Sequence, residues 1–311
     1  MRAVFMGTPD IAAEVLKCLV SSKHEIVLAV TQPDRPKGRG KEMAKSPVKV
    51  VAEENNIPVF QPVKVKDRES VEYLRKINPD IILVVAFGQI LSKEILDLPK
   101  FGCINVHASL LPKYRGAAPI QWSIIDGEEK TGITIMRMDE GIDTGDMLCT
   151  SEVEITAQET GGSLHDKLAA AAGPLLLEAI DLMEEGRAVY TPQDHAHSTY
   201  AKMLKKEMGH LDFTRPAKEL ERLIRGLNPW PSAYTFWNGK TLKLWETEVS
   251  FERFAPCPCG TLVSTKNGYL WIMTGDGILV VKELQTEGKR RMTTEEFLRG
   301  YHPEPGIVFG K

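Results

Sequence analysis

Residues 81–87 read Ile-Ile-Leu-Val-Val-Ala-Phe, and no other stretch restricts so tightly what this chain can fold into. A strand with one wet face alternates apolar and polar positions. An unbroken apolar run therefore marks a strand covered on both faces, as in the middle of a parallel sheet. Parallel neighbours need helical crossovers, and the first half of the chain supplies them. Strand-like runs at 2–6 and 26–30 flank a helix from Asp10 that carries Ile11, Val15, Leu16 and Leu19 on one side. Ser46-Pro47 reads as an N-cap with proline at the first helical position, opening a helix over 48–54. Further strands are expected at 104–106 and 133–138, and a long helix at 162–185 has Leu164, Leu168, Leu175, Ala179 and Leu182 as its inner stripe. The alternation implies an α/β fold built on a doubly wound, Rossmann-like parallel sheet. Ligands of such sheets bind beyond the carboxyl ends of the strands.

The pattern changes after Ala188. Residues 190–200 are polar and aperiodic, as in a linker, and 216–225 has the pattern of a helix. Short strands follow at 233–237, 242–245, 261–264, 269–273 and 279–281, separated by the hairpin signals Asn238-Gly239, Asn267-Gly268 and Asp276-Gly277. Five such strands predict a small β-barrel of OB-like type, and Thr293 with Glu296 forms a capping-box signature for a last helix. The expected division is a catalytic domain at 1–189, a linker at 190–205 and a C-terminal barrel domain at 206–311.

The chemistry concentrates where the 104–106 strand ends. Asn105 and His107 are two residues apart and so share a face, with Val106 in the opposite layer. An amide donor beside a titratable imidazole suits stabilising an oxyanion and handling a proton. The acidic loop after the next strand contains Asp139, Asp143 and Asp146, interleaved with glycines. A carboxylate beside an imidazole raises its pKa and fixes its tautomer, but the sequence alone does not choose which aspartate does so. The alternative is a solvated turn; calcium-loop spacing is absent.

Other signals are weaker. Met6-Gly7-Thr8-Pro9-Asp10 sits where a dinucleotide fingerprint would, yet has one glycine where three are needed. The run at 33–41 carries Arg35, Lys37, Arg39 and Lys41, continued by Lys45 and Lys49, with Asp34 and Glu42 opposing. Its prolines and glycines keep it out of a helix, leaving a basic finger suited to a phosphate backbone or else a solvated face. His195 with His197, and Cys257 with Cys259, lack zinc-site spacing. The net charge of −3 makes any nucleic-acid contact local rather than global. No run of about eighteen apolar residues occurs, and residues 1–7 pass straight into a strand pattern without that of a signal peptide. Five cysteines on a long chain do not form a disulfide framework, so a cytoplasmic location is expected.

Together these motifs closely resemble the methionyl-tRNA formyltransferases of the folate-dependent formyltransferase family, over essentially the whole chain. The most specific marks are Asn105-Val106-His107, Ser109-Leu110-Leu111-Pro112 followed by Arg115-Gly116, and Asp139-x-Gly-x-Asp143-Thr-Gly. The resemblance implies a catalytic trio of Asn105, His107 and Asp143. It implies a folate wall of Phe87, Gly88, Gln89, Ile90, Leu91, Ser109, Leu110, Leu111, Pro112 and Asp139. It also implies 10-formyltetrahydrofolate as co-substrate, initiator methionyl-tRNA as partner, no metal and no membrane, with a monomer as the default. Arg35, Lys37, Arg39 and Lys41 become the implied RNA contacts, with Arg39 at the acceptor end, and Asn228-Pro-Trp-Pro231 and the barrel mark the tRNA enzyme within the family. Two competing readings remain: a formyltransferase for a small amine, which needs neither barrel nor basic loop, and an RNA-binding module with a degenerate α/β domain, against which the intact trio argues.

Overall fold

The computed structural model describes residues 1–37 and 42–310, which divide into two compact units. The first comprises residues 1–119, 130–154 and 165–201. Its sheet has seven strands: β1 Arg2–Gly7, β2 Glu25–Val30, β3 Val59–Phe60, β4 Ile81–Val85, β5 Cys103–His107, β6 Lys130–Arg137 and β7 Met147–Glu154. They lie in the order β7-β6-β5-β4-β1-β2-β3. All five residues of β4 are buried, as its apolar run requires. The strand ends at Val85 rather than Phe87 because Ala86 turns to φ 44°. The Phe87 carbonyl is then held by the Thr8 hydroxyl at 3.1 Å and the Gln32 amide at 3.2 Å, from the segments that follow β1 and β2.

The sheet is mostly, not wholly, parallel. β6 runs antiparallel to β5 and to β7, and neither β7 nor β3 was expected from the sequence. β7 alternates half-buried and exposed residues, an edge-strand pattern too weakly apolar to stand out. The three helices expected here form at Asp10–Val20, Pro47–Glu54 and Gly161–Glu184, while Arg68–Ile77, Lys93–Leu96 and Pro119–Asp126 were not expected. Ser46 caps helix Pro47–Glu54, its hydroxyl accepting the Lys49 N–H at 3.1 Å. The core beneath one face of the sheet joins Val4, Met6, Leu28, Val30, Ile82 and Val84 to Leu74, Phe87 and Ile95.

The second unit comprises residues 120–129, 155–164 and those from 202 onward. Strands β8 Ala233–Trp237, β9 Lys240–Ser250, β10 Leu262–Ser264, β11 Leu270–Met273 and β12 Ile278–Thr286 form a curled antiparallel sheet in the order β8-β9-β12-β11-β10. Asn238 and Gly239 have φ of 50° and 70°, the left-handed pair that a tight hairpin needs. The terminal segment bridges the two sheet edges. Leu262 donates its N–H to the Ile307 carbonyl at 2.8 Å, and Gly310 donates to Phe236 at 2.9 Å. Edge groups that would otherwise be open to pairing are thereby satisfied, and the curled sheet is consistent with an OB-like fold. Helix Ala217–Gly226 packs on this sheet, and Thr293 and Glu296 form the expected capping box of helix Thr294–Gly300. No helix among the described residues is long and apolar enough to cross a membrane.

Candidate active site

β5 positions the first two candidates. Its register sets Asn105 between Val84 of β4 and Met136 of β6, and His107 beside Thr134. Asn105 and His107 are 9% and 5% exposed, and Val106 occupies the other face. Because β6 is antiparallel, the loop at 138–146 leaves opposite the start of β5, where Arg137 pairs with Ile104. It must fold back to reach Asn105 and His107. Asp139 makes that turn: its Oδ1 accepts the Gly141 N–H at 3.0 Å and the Thr144 hydroxyl at 2.6 Å. The Arg137 N–H closes the loop on the Asp146 carbonyl at 2.9 Å. Asp143 sits at the bend with φ 53°, a left-handed conformation that aspartate adopts more readily than most residues.

The Asp143 carboxylate then faces both partners. Its Oδ1 lies 3.4 Å from Asn105 Nδ2, and its Oδ2 accepts the Gly116 N–H at 2.8 Å. His107 Nδ1 lies 3.6 Å from Oδ2, while Nε2 is 2.9 Å from the Tyr114 carbonyl oxygen. A carbonyl can only accept, so Nε2 carries a hydrogen, and Nδ1 is the nitrogen turned toward the carboxylate. At 3.4 and 3.6 Å neither contact with Asp143 is a short hydrogen bond. The amide of Asn105 and the Nδ1 of His107 therefore both keep capacity for a ligand.

A residue that sequence reasoning missed completes this site. Gln193 lies in the stretch expected as a linker, yet it is buried. Its Nε2 donates to the Asp143 carbonyl at 2.9 Å and the Gly145 carbonyl at 2.7 Å. Its Oε1 accepts from Arg115 Nε at 3.0 Å and Nη2 at 2.6 Å. Arg115 Nη2 also lies 3.0 Å from His195 Nδ1, and Tyr200–Ala201 pairs in parallel with Arg115–Gly116. Residues 190–201 are thus tied to the loop at 138–146 and to Arg115–Gly116. A glutamine in a polar, aperiodic stretch carries no periodic signal, which is why the sequence did not reveal it.

The residues of the expected folate wall fall into two groups. Gln89 is engaged internally, accepting the Val65 N–H at 2.7 Å and donating to the Pro62 carbonyl at 3.1 Å. The Ser109 hydroxyl donates to the Lys113 carbonyl at 2.7 Å, and the Leu111 N–H donates to Thr134 Oγ1 at 3.1 Å. With Asp139 in its turn, these residues shape the loops. Phe87 and Leu91 are buried beneath, whereas Ile90 is 77% exposed and Gly88 is open with φ 81°. Leu110 and Pro112 are half-buried.

Of the basic run, Arg35 is exposed, in a short hairpin where Arg35–Lys37 pairs with Glu42–Ala44. Arg39, Lys41 and the side chain of Lys37 lie outside the described residues. Lys45 and Lys49 do not extend the patch as free cations. Lys45 pairs with Glu53 at 2.6 Å and Lys49 with Asp34 at 2.7 Å. The Lys49 hydrogen bond, followed by that of Gln61, holds the Asp34 carboxyl below its ordinary range.

Residues 1–180 match the family model described as formyl transferase, and residues 203–302 match that of the formyl transferase C-terminal domain. The chain belongs to the formyl transferase family. A methionyl-tRNA formyltransferase of Agathobacter rectalis is 55% identical to it over 311 residues, covering 99% of both chains. One from Clostridioides difficile is 50% identical over 310 residues, covering all of both. Among solved structures, the N-formyltransferase from Helicobacter canadensis, in complex with folinic acid and dTDP-3-aminofucose, has a TM-score of 0.67 at 19% identity. That match covers 91% of this chain and 98% of the other and bears on the fold alone.

In this formyl transferase Cys103 lies on the same side of β5 as Asn105 and His107, one alternation deeper. It is 1% exposed, and burial pushes its thiol up to about 12. The raised value keeps it protonated, and the thiolate is the nucleophilic form. Iodoacetamide at pH 8 is therefore expected to leave Cys103 unmodified in the native chain and to label it after denaturation, as read by peptide mass spectrometry. Native labelling at Cys103 would contradict its burial.

Proposed function

We propose that this formyl transferase moves the formyl group of 10-formyltetrahydrofolate to the free α-amine of initiator methionyl-tRNA. The observation that carries the reading is the Asp143 carboxylate lying 3.4 Å from the Asn105 amide and 3.6 Å from His107 Nδ1. Likeness along its full length to chains named methionyl-tRNA formyltransferase supports the acceptor.

In this mechanism the amine nitrogen attacks the formyl carbon, and charge builds on the formyl oxygen. Asn105 donates its amide N–H to that oxygen, and His107 presents Nδ1–H as a second donor. Its Nε2–H stays with the Tyr114 carbonyl, which fixes the ring and leaves Nδ1 to serve the reaction. The Asp143 carboxylate faces that nitrogen at 3.6 Å. As the new C–N bond forms, the Asp143 carboxylate takes the proton shed by the amine, because His107 carries a hydrogen on both ring nitrogens. The carboxylate returns that proton to N10 of the folate as the old C–N bond breaks. Ile90 and the open backbone at Gly88 are the groups free to meet the folate rings, over the buried Phe87 and Leu91. Arg35, Lys37, Arg39 and Lys41 supply cations for the RNA backbone, a contact whose strength falls with salt.

The test is tetrahydrofolate release from formyl-folate in the presence of methionyl-tRNA, uncharged tRNA or small amines such as nucleotide-linked amino sugars. Release with methionyl-tRNA alone is expected. Release with a small amine in its place would return the chain to the small-substrate reading.

A further inference from the structure

We infer that Gln193 is a positioning residue that sets the reach of Asp143, with Arg115 acting through it. The inference rests on the formyl-transfer reading above. Both amide hydrogens of Gln193 are spent on the catalytic loop, one on the Asp143 carbonyl and one on the Gly145 carbonyl. Its oxygen takes a two-pronged contact from the Arg115 guanidinium. The hydrogen-bonding capacity of a glutamine amide is thereby used in full. Bonds from a cation to Oε1 polarise the amide and strengthen its N–H donors, so the charge of Arg115 is delivered as grip on two backbone carbonyls.

The two carbonyls flank Thr144, immediately beside the residue held at φ 53°. The carboxylate of the same Asp143 is gripped from the other end by the Gly116 N–H at 2.8 Å. One dipeptide, Arg115-Gly116, therefore fixes Asp143 at both its backbone and its side chain. Its own position is held by pairing with Tyr200–Ala201, on the segment that carries Gln193. The contacts from Asp143 to Asn105 and His107 are 3.4 and 3.6 Å. At those lengths nothing in the trio itself fixes the carboxylate, and the clamp does.

The experiment compares steady-state kinetics of Gln193→Met, which keeps the volume and removes every hydrogen bond, with Gln193→Glu. The latter keeps the Arg115 contact but sets oxygen against the two carbonyls. Each is also made in an Asp143→Asn background, and unfolding midpoints are recorded so that rates are expressed per folded molecule. Both single variants are expected to lose kcat by up to about a hundredfold, the scale of an ångström of misplacement, with KM for formyl-folate and for methionyl-tRNA nearly unchanged. In the Asp143→Asn background the same changes should cost little more, because residues acting as one unit are not additive. Wild-type kcat in both single variants would overturn the inference. So would an equal loss in both backgrounds, or a lowered midpoint with kcat per folded molecule intact. Wild-type turnover of methionyl-tRNA in the same assay tests the underlying reading separately.

Discussion

Asn105→Ala is expected to lower kcat by roughly two to three decades while leaving formyl-folate binding nearly intact. The side chain lies within the sheet register between Val84 and Met136, so removing its amide leaves the backbone ladder in place. Among the described residues its side-chain hydrogen bond is a long one, Nδ2 to Asp143 at 3.4 Å, and losing that costs little stability. What disappears is a donor aimed at the oxygen on which charge develops. Donors of this kind contribute about 2.7–4 kcal/mol, and each factor of ten in rate is about 1.36 kcal/mol. Because the charge is absent in the ground state, the loss belongs in kcat rather than KM. Steady-state kinetics with methionyl-tRNA, beside a fluorescence titration with formyl-folate, separates the two. A variant that keeps its turnover rate and loses folate affinity would make Asn105 a binding residue instead.

The sequence made Asn105 and His107 legible because strand alternation is a local rule, and the apolar run at 81–87 required a covered sheet on either side of them. Asn238-Gly239 and the Thr293 capping box were legible for the same reason, since each is settled by a few adjacent residues. The orientation of β6 was not, because a strand reads alike in either direction and only its pairing partner decides. That orientation sends the 138–146 loop away from His107, so the choice of Asp143 among three aspartates depends on how the loop returns. Asp139 is consumed in a local turn with Gly141 and Thr144, and Asp143 reaches the Gly116 N–H and Asn105 only across 27 and 38 residues, which no spacing encodes. The resemblance to the family named Asp143 where local reasoning stopped. Gln193 is the extreme case: its partners lie 48 to 78 residues away, and its surroundings look like a linker.

The glycine of Asp143-Thr144-Gly145 has a steric reason that predicts the second large effect. A Cβ at Gly145 would lie 1.8 Å from the carbonyl oxygen of Arg137 and 3.0 Å from its carbonyl carbon. These are backbone atoms of a sheet strand, which cannot swing aside as a side chain would. The Arg137 N–H holds the Asp146 carbonyl at 2.9 Å, so the loop is pinned where the extra carbon would intrude. Gly145→Ala must therefore push the loop off β6, carrying Asp143 with it and breaking the Gln193 contact to the Gly145 carbonyl. A displacement of about an ångström costs on the order of a hundredfold in kcat, and the lost backbone bonds should lower the unfolding midpoint as well. Gly300→Ala is the control: at Gly300 nothing lies within 4 Å, and the residue ends a helix. There the substitution should leave kcat unchanged and stabilise by at most about 1 kcal/mol, the helix-propensity difference. Wild-type kcat in Gly145→Ala would mean that the loop tolerates displacement and that the reach of Asp143 does not limit the reaction.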